Sequence, residues 1–240
     1  MRKREETKMR YLVVIPARGG SKGIPHKNIY PIQGKPLLEY ALDCISQVEF
    51  EGDITVSTDD SMIAAVASKY ENVVVVERPA EISGDTAKPE AALIHALNYM
   101  KEQYNKDYDA VITLQATSPL RKSKTVQAFL AKFEENLPEY DTLLTLSENR
   151  SDFWIKTEDG QYRRLYPDAP RRRQERTPLY VENSAIYATL KESLLETESV
   201  LGKKATGYVI DEMEAVDINE WMDIYTVEGI LALQNKKDKE

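Results

Sequence analysis

The chain has 240 residues, of which 42% are hydrophobic and 30% charged, the make-up of a folded globular protein rather than a disordered or fibrous one, at a length that suits one large domain or one domain carrying an insertion. Asp and Glu number 40 against 32 Lys and Arg, a formal net charge of −8, so nothing favours broad attachment to nucleic acid or to an anionic membrane surface, and any anion must be held by local basic residues. The opening MRKREETKMR has no apolar core of signal-peptide length, and no later stretch approaches the roughly 20 apolar residues of a membrane span; the expectation is a cytoplasmic protein without a membrane or nucleic-acid partner. The single cysteine, Cys44, precludes an internal disulfide, and with only His26 and His95 a zinc site is not expected.

In chain order, the β-branched run Tyr11 to Ile15, closed by Pro16, predicts a buried strand followed by a long loop. Pro36 opens a helix with Leu38, Ala41, Leu42 and Ile45 on one face, with Cys44 as a small core residue, and Ile54 to Ser57 reads as the second strand. Asp59 or Asp60 caps a helix marked by Met62, Ile63, Val66 and Tyr70, before the strand Val73 to Val76. The next cycle is a helix with Leu93, Leu97, Met100 and Tyr104, the strand Ala110 to Leu114, and a helix with Val126, Phe129, Leu130 and Phe133. Residues 148–182 are polar, aromatic and arginine-rich without helical periodicity and read as an inserted segment; the regular pattern resumes with SAIYATL, the strand-like YVI, and a closing helix with Trp221, Ile224, Val227 and Leu231 on one side. Alternating strands and helices predict an α/β fold with a mostly parallel sheet covered on both faces, because parallel strands need crossovers. Ligands then belong at the carboxyl ends of the strands.

The loop after the first strand, IPARGGSKGIPHKN, sets Arg18, Lys22 and Lys27 around glycines and Ser21. Glycines let backbone amides approach phosphate oxygens, and the cations offset a triphosphate's charge. The loop is neither GxxxxGK[ST] nor GxGxxG.

This segment closely resembles the N-terminal signature of the acylneuraminate cytidylyltransferases, the family that makes CMP-sialic acids. STDD, RPAEISGDTA, LQATSPLR, the RQ pair before ENSAIY, and EAVDIN follow in the family's order, from about Tyr11 to the closing helix. The resemblance implies a three-layer, Rossmann-like nucleotidyltransferase spanning residues 1–240 as a single domain, with residues 148–182 as a small inserted dimerisation subdomain. By the same resemblance, Arg18, Ser21, Lys22 and Lys27 hold the CTP triphosphate, with Arg18, Lys22 and Lys27 also stabilising charge in the reaction, while Asn28 and Arg78 locate the nucleotide. Gln115, Arg173, Gln174, Asn183, Tyr187 and Lys156 fall on sugar positions, and a homodimer is implied in which Arg173 and Lys156 act on the neighbouring subunit's sugar, with Phe153 and Trp154 in dimer packing.

EAVDIN matches the place where the family presents two aspartates, one residue apart on a strand edge, to Mg2+. Alternation would set both side chains on one face. Here the pair is Asp217 and Asn219; an amide oxygen still coordinates a hard cation, at the loss of one negative charge. Asp217 is also the first candidate for taking the proton from the sugar hydroxyl. Two further departures are Ala116, where the family usually has proline, and Val200 with Leu201, where aromatic residues often line an N-acyl pocket; smaller aliphatic groups keep legionaminic and related acids in play. The implied reaction joins CMP to a nine-carbon acidic sugar with release of pyrophosphate. The rival readings are a guanylyltransferase, a catalytically weak sugar-nucleotide binding protein, and a retaining glycosyltransferase.

Overall fold

The structure, a computed structural model, describes residues 8–237; most of the charged opening read above lies outside the described residues. β1 (Arg10–Pro16) leads through the long loop and a two-residue hairpin, β2 (Pro31–Ile32) and β3 (Lys35–Pro36), into α1 (Leu37–Ser46). There follow β4 (Glu51–Thr58), α2 (Ser61–Ala67), β5 (Val73–Glu77), α3 (Pro89–Tyr104), β6 (Ala110–Leu114) and α4 (Ser123–Asn136). The chain continues with β7 (Thr142–Asn149), the short β8 (Trp154–Lys156) and β9 (Tyr162–Arg164), the long β10 (Leu179–Leu190), α5 (Lys191–Thr197), β11 (Ala205–Val209) and α6 (Trp221–Lys237). Among the described residues no helix is long and apolar enough to cross a membrane.

Seven strands form one sheet in the order β11-β7-β10-β6-β1-β4-β5. All run parallel except β10, which is antiparallel to both neighbours. The pleat of β1 explains its unbroken apolar run. Val13 and Ile15 pack into one core with Leu38, Ile63 and Phe129 from α1, α2 and α4, while Leu12 and Val14 face a second core with Leu93 of α3 and Leu194 of α5. Both faces of the strand are thus covered, as parallel sheets require, and each such side chain contributes roughly 1.5–3 kcal/mol of burial. A third, smaller core of Ile24, Ile32, Leu37, Leu120, Ile218, Ile224 and Val227 joins the β1 loop, the segment after β6 and α6.

Several readings are refined. Asp60 rather than Asp59 caps α2, its Oδ1 accepting from the amides of Met62 (2.8 Å) and Ile63 (3.1 Å). The helix ends at Ala67, so Tyr70 lies in the following turn, where its hydroxyl donates to Asp43 at 2.6 Å. Cys44 is buried in the main core. β7 was not foreseen, and residues 148–182 do not form a body separate from the sheet: β7 and β10 run on into them, pairing Leu146↔Glu182 through Asn149↔Leu179. Only beyond these strands does the chain form the β8–β9 hairpin, Trp154↔Arg164 to Lys156↔Tyr162. Inside this arm Asp152 accepts two hydrogen bonds from Arg164 (3.0 and 2.9 Å) and one from Arg176 (3.4 Å), so part of the arginine-rich run builds the arm itself.

Candidate active site

The carboxyl ends of β1, β4, β5 and β6 are parallel neighbours, so the residues that follow them, Arg18, Asp59, Arg78 and Gln115, emerge along one edge of the sheet. There they surround a cleft of about 480 Å³ lined by Arg18, Ser21, Lys22, Lys27, Asn28, Arg78 and Gln115, together with Thr117 and the residues leading into α3, Ala87 to Pro89. All six expected nucleotide residues and one expected sugar residue therefore share one concavity. The amino end of the long helix α3 adds favourable backbone dipoles for a bound anion.

Two glycines shape the loop by close approach. At Gly19 a β-carbon would stand 2.6 Å from the Asp60 carboxylate, and the Gly19 amide donates to Asp59 Oδ1 at 2.9 Å. At Gly23 a β-carbon would stand 2.7 Å from the Asn219 carbonyl. The loop is thereby pinned between STDD on one side and the Asp217–Asn219 segment on the other.

Within the cleft, Arg18 and Lys22 both pair with Asp85, each at 2.9 Å. Asn28 Nδ2 donates to the Arg18 carbonyl at 2.9 Å, an orienting role within the loop. Arg78 is 8% exposed and donates to Ser57 through Nε (3.1 Å, to Oγ) and a terminal nitrogen (2.7 Å, to the carbonyl); its main engagement is with the end of β4. Lys27 Nζ donates to the Ile218 carbonyl at 2.7 Å. Burial pushes the Lys27 ammonium below its ordinary pKa, while Asp217 and Asp223 pull it back up.

Asp217 and Asn219 are not on a strand, contrary to expectation: they lie in the irregular stretch between β11 and α6. The expected common face survives because Ile218 between them is drawn inward. Its side chain is 1% exposed, its amide donates to the Thr117 carbonyl at 2.9 Å, and its carbonyl accepts from Lys27. The flanking side chains turn together, and Asn219 Nδ2 donates to Asp217 Oδ2 at 2.6 Å. The pair fits a magnesium ion that takes most of its ligands from phosphate and water, since one carboxylate with an amide oxygen is a usual protein share. Asn219 must then turn its amide oxygen toward the cation. Among the described residues no group of three acidic, His or Cys side chains is placed to hold a metal by itself.

On the sugar side the residues divide. The side-chain amide of Gln115 lines the cleft and makes no hydrogen bond among the described residues, so both its donor and its acceptor are available. Asn183 is engaged between β10 and β7: Oδ1 accepts from Thr145 Oγ1 (2.6 Å) and the Ala185 amide (3.2 Å), and Nδ2 donates to Ser147 Oγ (2.9 Å). The Tyr187 hydroxyl is held by Glu182 and by Ser184 (3.0 Å), and burial first, then Glu182, raises its pKa so that the phenol stays protonated. Both residues fix the irregularity in β10 between Glu182 and Tyr187. Lys156, Arg173 and Gln174 sit on the arm and do not line the cleft of their own chain. The Val200 amide lies 3.4 Å from Glu90 Oε1 in the first turn of α3, while Leu201 is exposed.

Three contributors escape a reading by motif. Asp59 anchors the glycine loop through a backbone amide, Asp85 holds two of its cations, and Arg121 is buried beneath Gln115. All three lie within quoted motifs, but which acid meets which cation, and which carbonyls Arg121 joins, depends on segments brought together across the sheet.

Comparison with known proteins bears on this cleft. The cytidylyltransferase family profile matches residues 12–206. The chain is 30% identical over 232 residues to the post-translational flagellin modification protein B of Campylobacter coli, covering 95% of this chain and 98% of that one. It is likewise 30% identical over 241 residues to the CMP-N,N'-diacetyllegionaminic acid synthase of Campylobacter jejuni, covering 95% and 98%. With the N-acylneuraminate cytidylyltransferase of Escherichia coli it shares 28% identity over 232 residues, which is 95% of this chain and 53% of that protein. A solved structure of CMP:2-keto-3-deoxy-manno-octonic acid synthetase complexed with CTP superposes with a TM-score of 0.63 at 17% identity, covering 94% of this chain and 99% of that one, and shows a common fold. With the family profile spanning the sheet from β1 to β11 and its loop residues gathered in one cleft, the chain belongs to the cytidylyltransferase family.

Proposed function

We propose that this enzyme transfers CMP from CTP to the anomeric hydroxyl of a nine-carbon acidic sugar, of the sialic or legionaminic acid type, releasing pyrophosphate. The observation that carries the reading is a single cleft in which the cationic glycine loop faces Gln115, with Asp217 beside Lys27 at its edge. Relatives named for legionaminic and N-acylneuraminic acids support the sugar class.

In this reading Arg18, Lys22 and Lys27 seat the triphosphate, Arg18 and Lys22 leaving Asp85 as the phosphates arrive. The sugar's anomeric oxygen attacks the α-phosphorus, the bond from that phosphorus to the bridging oxygen breaks, and pyrophosphate departs. In the same reading Asp217 accepts the hydroxyl proton. Asp217 and Asn219 would hold Mg2+, which would supply charge neutralisation at the phosphates. The protein's share is positioning and electrostatic stabilisation in a preorganised site.

The test is pyrophosphate release with Mg2+ across CTP, GTP, UTP and ATP, each paired with N-acetylneuraminate, diacetyllegionaminate or an eight-carbon acidic control. Release with CTP and a nine-carbon acid is expected. Preference for GTP makes the enzyme a guanylyltransferase, and no release from any pair removes the catalytic reading.

We further propose a homodimer built through the arm, where Trp154, Tyr162, Leu165, Tyr166, Tyr180 and Val181 are all at least 40% exposed, a concentration of apolar surface that marks an interaction site. Arg173, outside its own cleft, then serves the partner's sugar. Sedimentation should give a dimer, and Arg173→Ala should raise the sugar KM roughly tenfold, about 1.4 kcal/mol, with the CTP KM little changed. A monomer, or an unchanged sugar KM, removes this assignment.

A further inference from the structure

Arg121 ends the LQATSPLR motif and is 4% exposed, yet among the described residues no carboxylate lies within salt-bridge distance of it. The nearby Glu214 is occupied by the Lys122 amide (3.1 Å) and ammonium (3.2 Å). Nε and the other terminal nitrogen of Arg121 are buried with no oxygen acceptor, and the Cys44 thiol is the side chain beside the guanidinium. Burying a guanidinium this way is costly, so its remaining nitrogen should have a specific task. That nitrogen donates to two carbonyls at once, Gln115 at 3.2 Å and Ala185 at 2.8 Å.

Those carbonyls stand where the sheet parts. The β6–β10 ladder has its last pair at Leu114↔Ile186. Beyond it Gln115 turns into the cleft, and β10 enters its irregular stretch through Ser184, which adopts a left-handed φ of 59°. Past this point the ladder register ends: the Gln115 amide still reaches the Ala185 carbonyl, but at a long 3.4 Å, and Arg121 reinforces this weakened junction by donating to the carbonyls on both sides of it. The same nitrogen therefore sets the peptide orientation of Gln115 and ties it to the stretch held by Asn183 and Tyr187. Two residues on, the Thr117 carbonyl holds Ile218 between Asp217 and Asn219.

We propose that Arg121 is a positioning residue for the acidic sugar: it aims Gln115 into the cleft without touching substrate. The inference rests on the proposed reaction and adds to it a residue that controls sugar KM. A lysine offers a point charge on a different stem and cannot reproduce the planar fork, so Arg121→Lys should disturb this bridge, and Arg121→Gln should do so without a buried charge.

The experiment measures steady-state kinetics and backbone hydrogen exchange on the full chain. Arg121→Lys and Arg121→Gln should each raise the sugar KM at least tenfold while the CTP KM stays within twofold. In a Gln115→Ala background the same substitutions should change the sugar KM by less than twofold, because residues acting through one contact are not additive. Exchange at residues 115–118 should be at least tenfold faster in both variants, with β1 unchanged. An equal rise in both KM values, full additivity with Gln115→Ala, unaltered exchange at 115–118, or loss of the fold in both variants would overturn the proposal. If the parent releases no pyrophosphate with any substrate pair, the functional reading fails first, and the exchange measurement alone decides whether Arg121 orders this loop.

Discussion

Lys27→Ala should lower kcat/KM by roughly 10²–10³-fold, about 2.7–4 kcal/mol, the scale seen when one preorganised group facing developing charge is removed. Lys27 is half-buried in the cleft wall, and its ammonium is tethered to the Ile218 carbonyl at 2.7 Å, so little reorganisation is needed when a phosphate arrives. Its loss removes a cation from the proposed triphosphate seat and also frees the peptide between Asp217 and Asn219. The pH profile offers a second reading of the same residue. Since burial lowers the Lys27 pKa, the cation is lost as pH rises at a lower pH than for an ordinary lysine. The alkaline limb of kcat/KM, which reports the free enzyme, should accordingly fall early, and Lys27→Arg should shift that limb upward. A Lys27→Ala enzyme within threefold of the parent would remove the residue from the machinery.

The second large effect is expected at Asp217, the one carboxylate of the proposed cation pair. Asp217→Ala should raise the Mg2+ concentration for half-maximal activity by at least tenfold, about 1.4 kcal/mol, and lower kcat/KM by roughly 10²-fold at moderate Mg2+ if proton transfer to it is lost as well. Asn219→Asp should move the Mg2+ requirement the other way, because it adds a negative oxygen ligand for a hard cation. Asn219 now donates to Asp217 at 2.6 Å; an aspartate there would repel it, so the gain in metal affinity should come with a greater dependence on Mg2+ for order in this segment. An Asp217→Ala enzyme with unchanged Mg2+ dependence would place the cation elsewhere.

Much of this architecture is legible from residue order. β1, β4, β5 and β6 read as short apolar runs because both faces of each are covered, and α1, α3 and α4 read from the spacing of Leu38, Leu93 and Phe129 and their neighbours. The cation loop reads clearly because Arg18, Lys22 and Lys27 lie within ten residues of one another and the structure keeps them in one wall. β7 escaped because Thr142–Asn149 trades apolar alternation for polar residues as it leaves the core, and Tyr70 was drawn into a helix because its spacing from Val66 is helical although the chain turns at Ser68. The reversal of β10 has no local signal, since a strand's own residues do not record the direction of its neighbours.

The sequence by itself therefore determined the class of fold, the grouping of Arg18, Lys22 and Lys27 on one loop and the family, each of which depends on spacing within a few residues or on motif order. Tertiary structure alone decided that Asp85 meets Arg18 and Lys22, that Ile218 couples Lys27 to Thr117, and that Arg121 closes the gap between β6 and β10. It also decided that Asn183 and Tyr187 hold β10 while Arg173 stands away from its own cleft. These pairings join residues far apart in the chain, and their existence depends on the order and direction of strands in the sheet; hydrogen-bond geometry tolerates only fractions of an ångström, a precision that residue spacing does not carry.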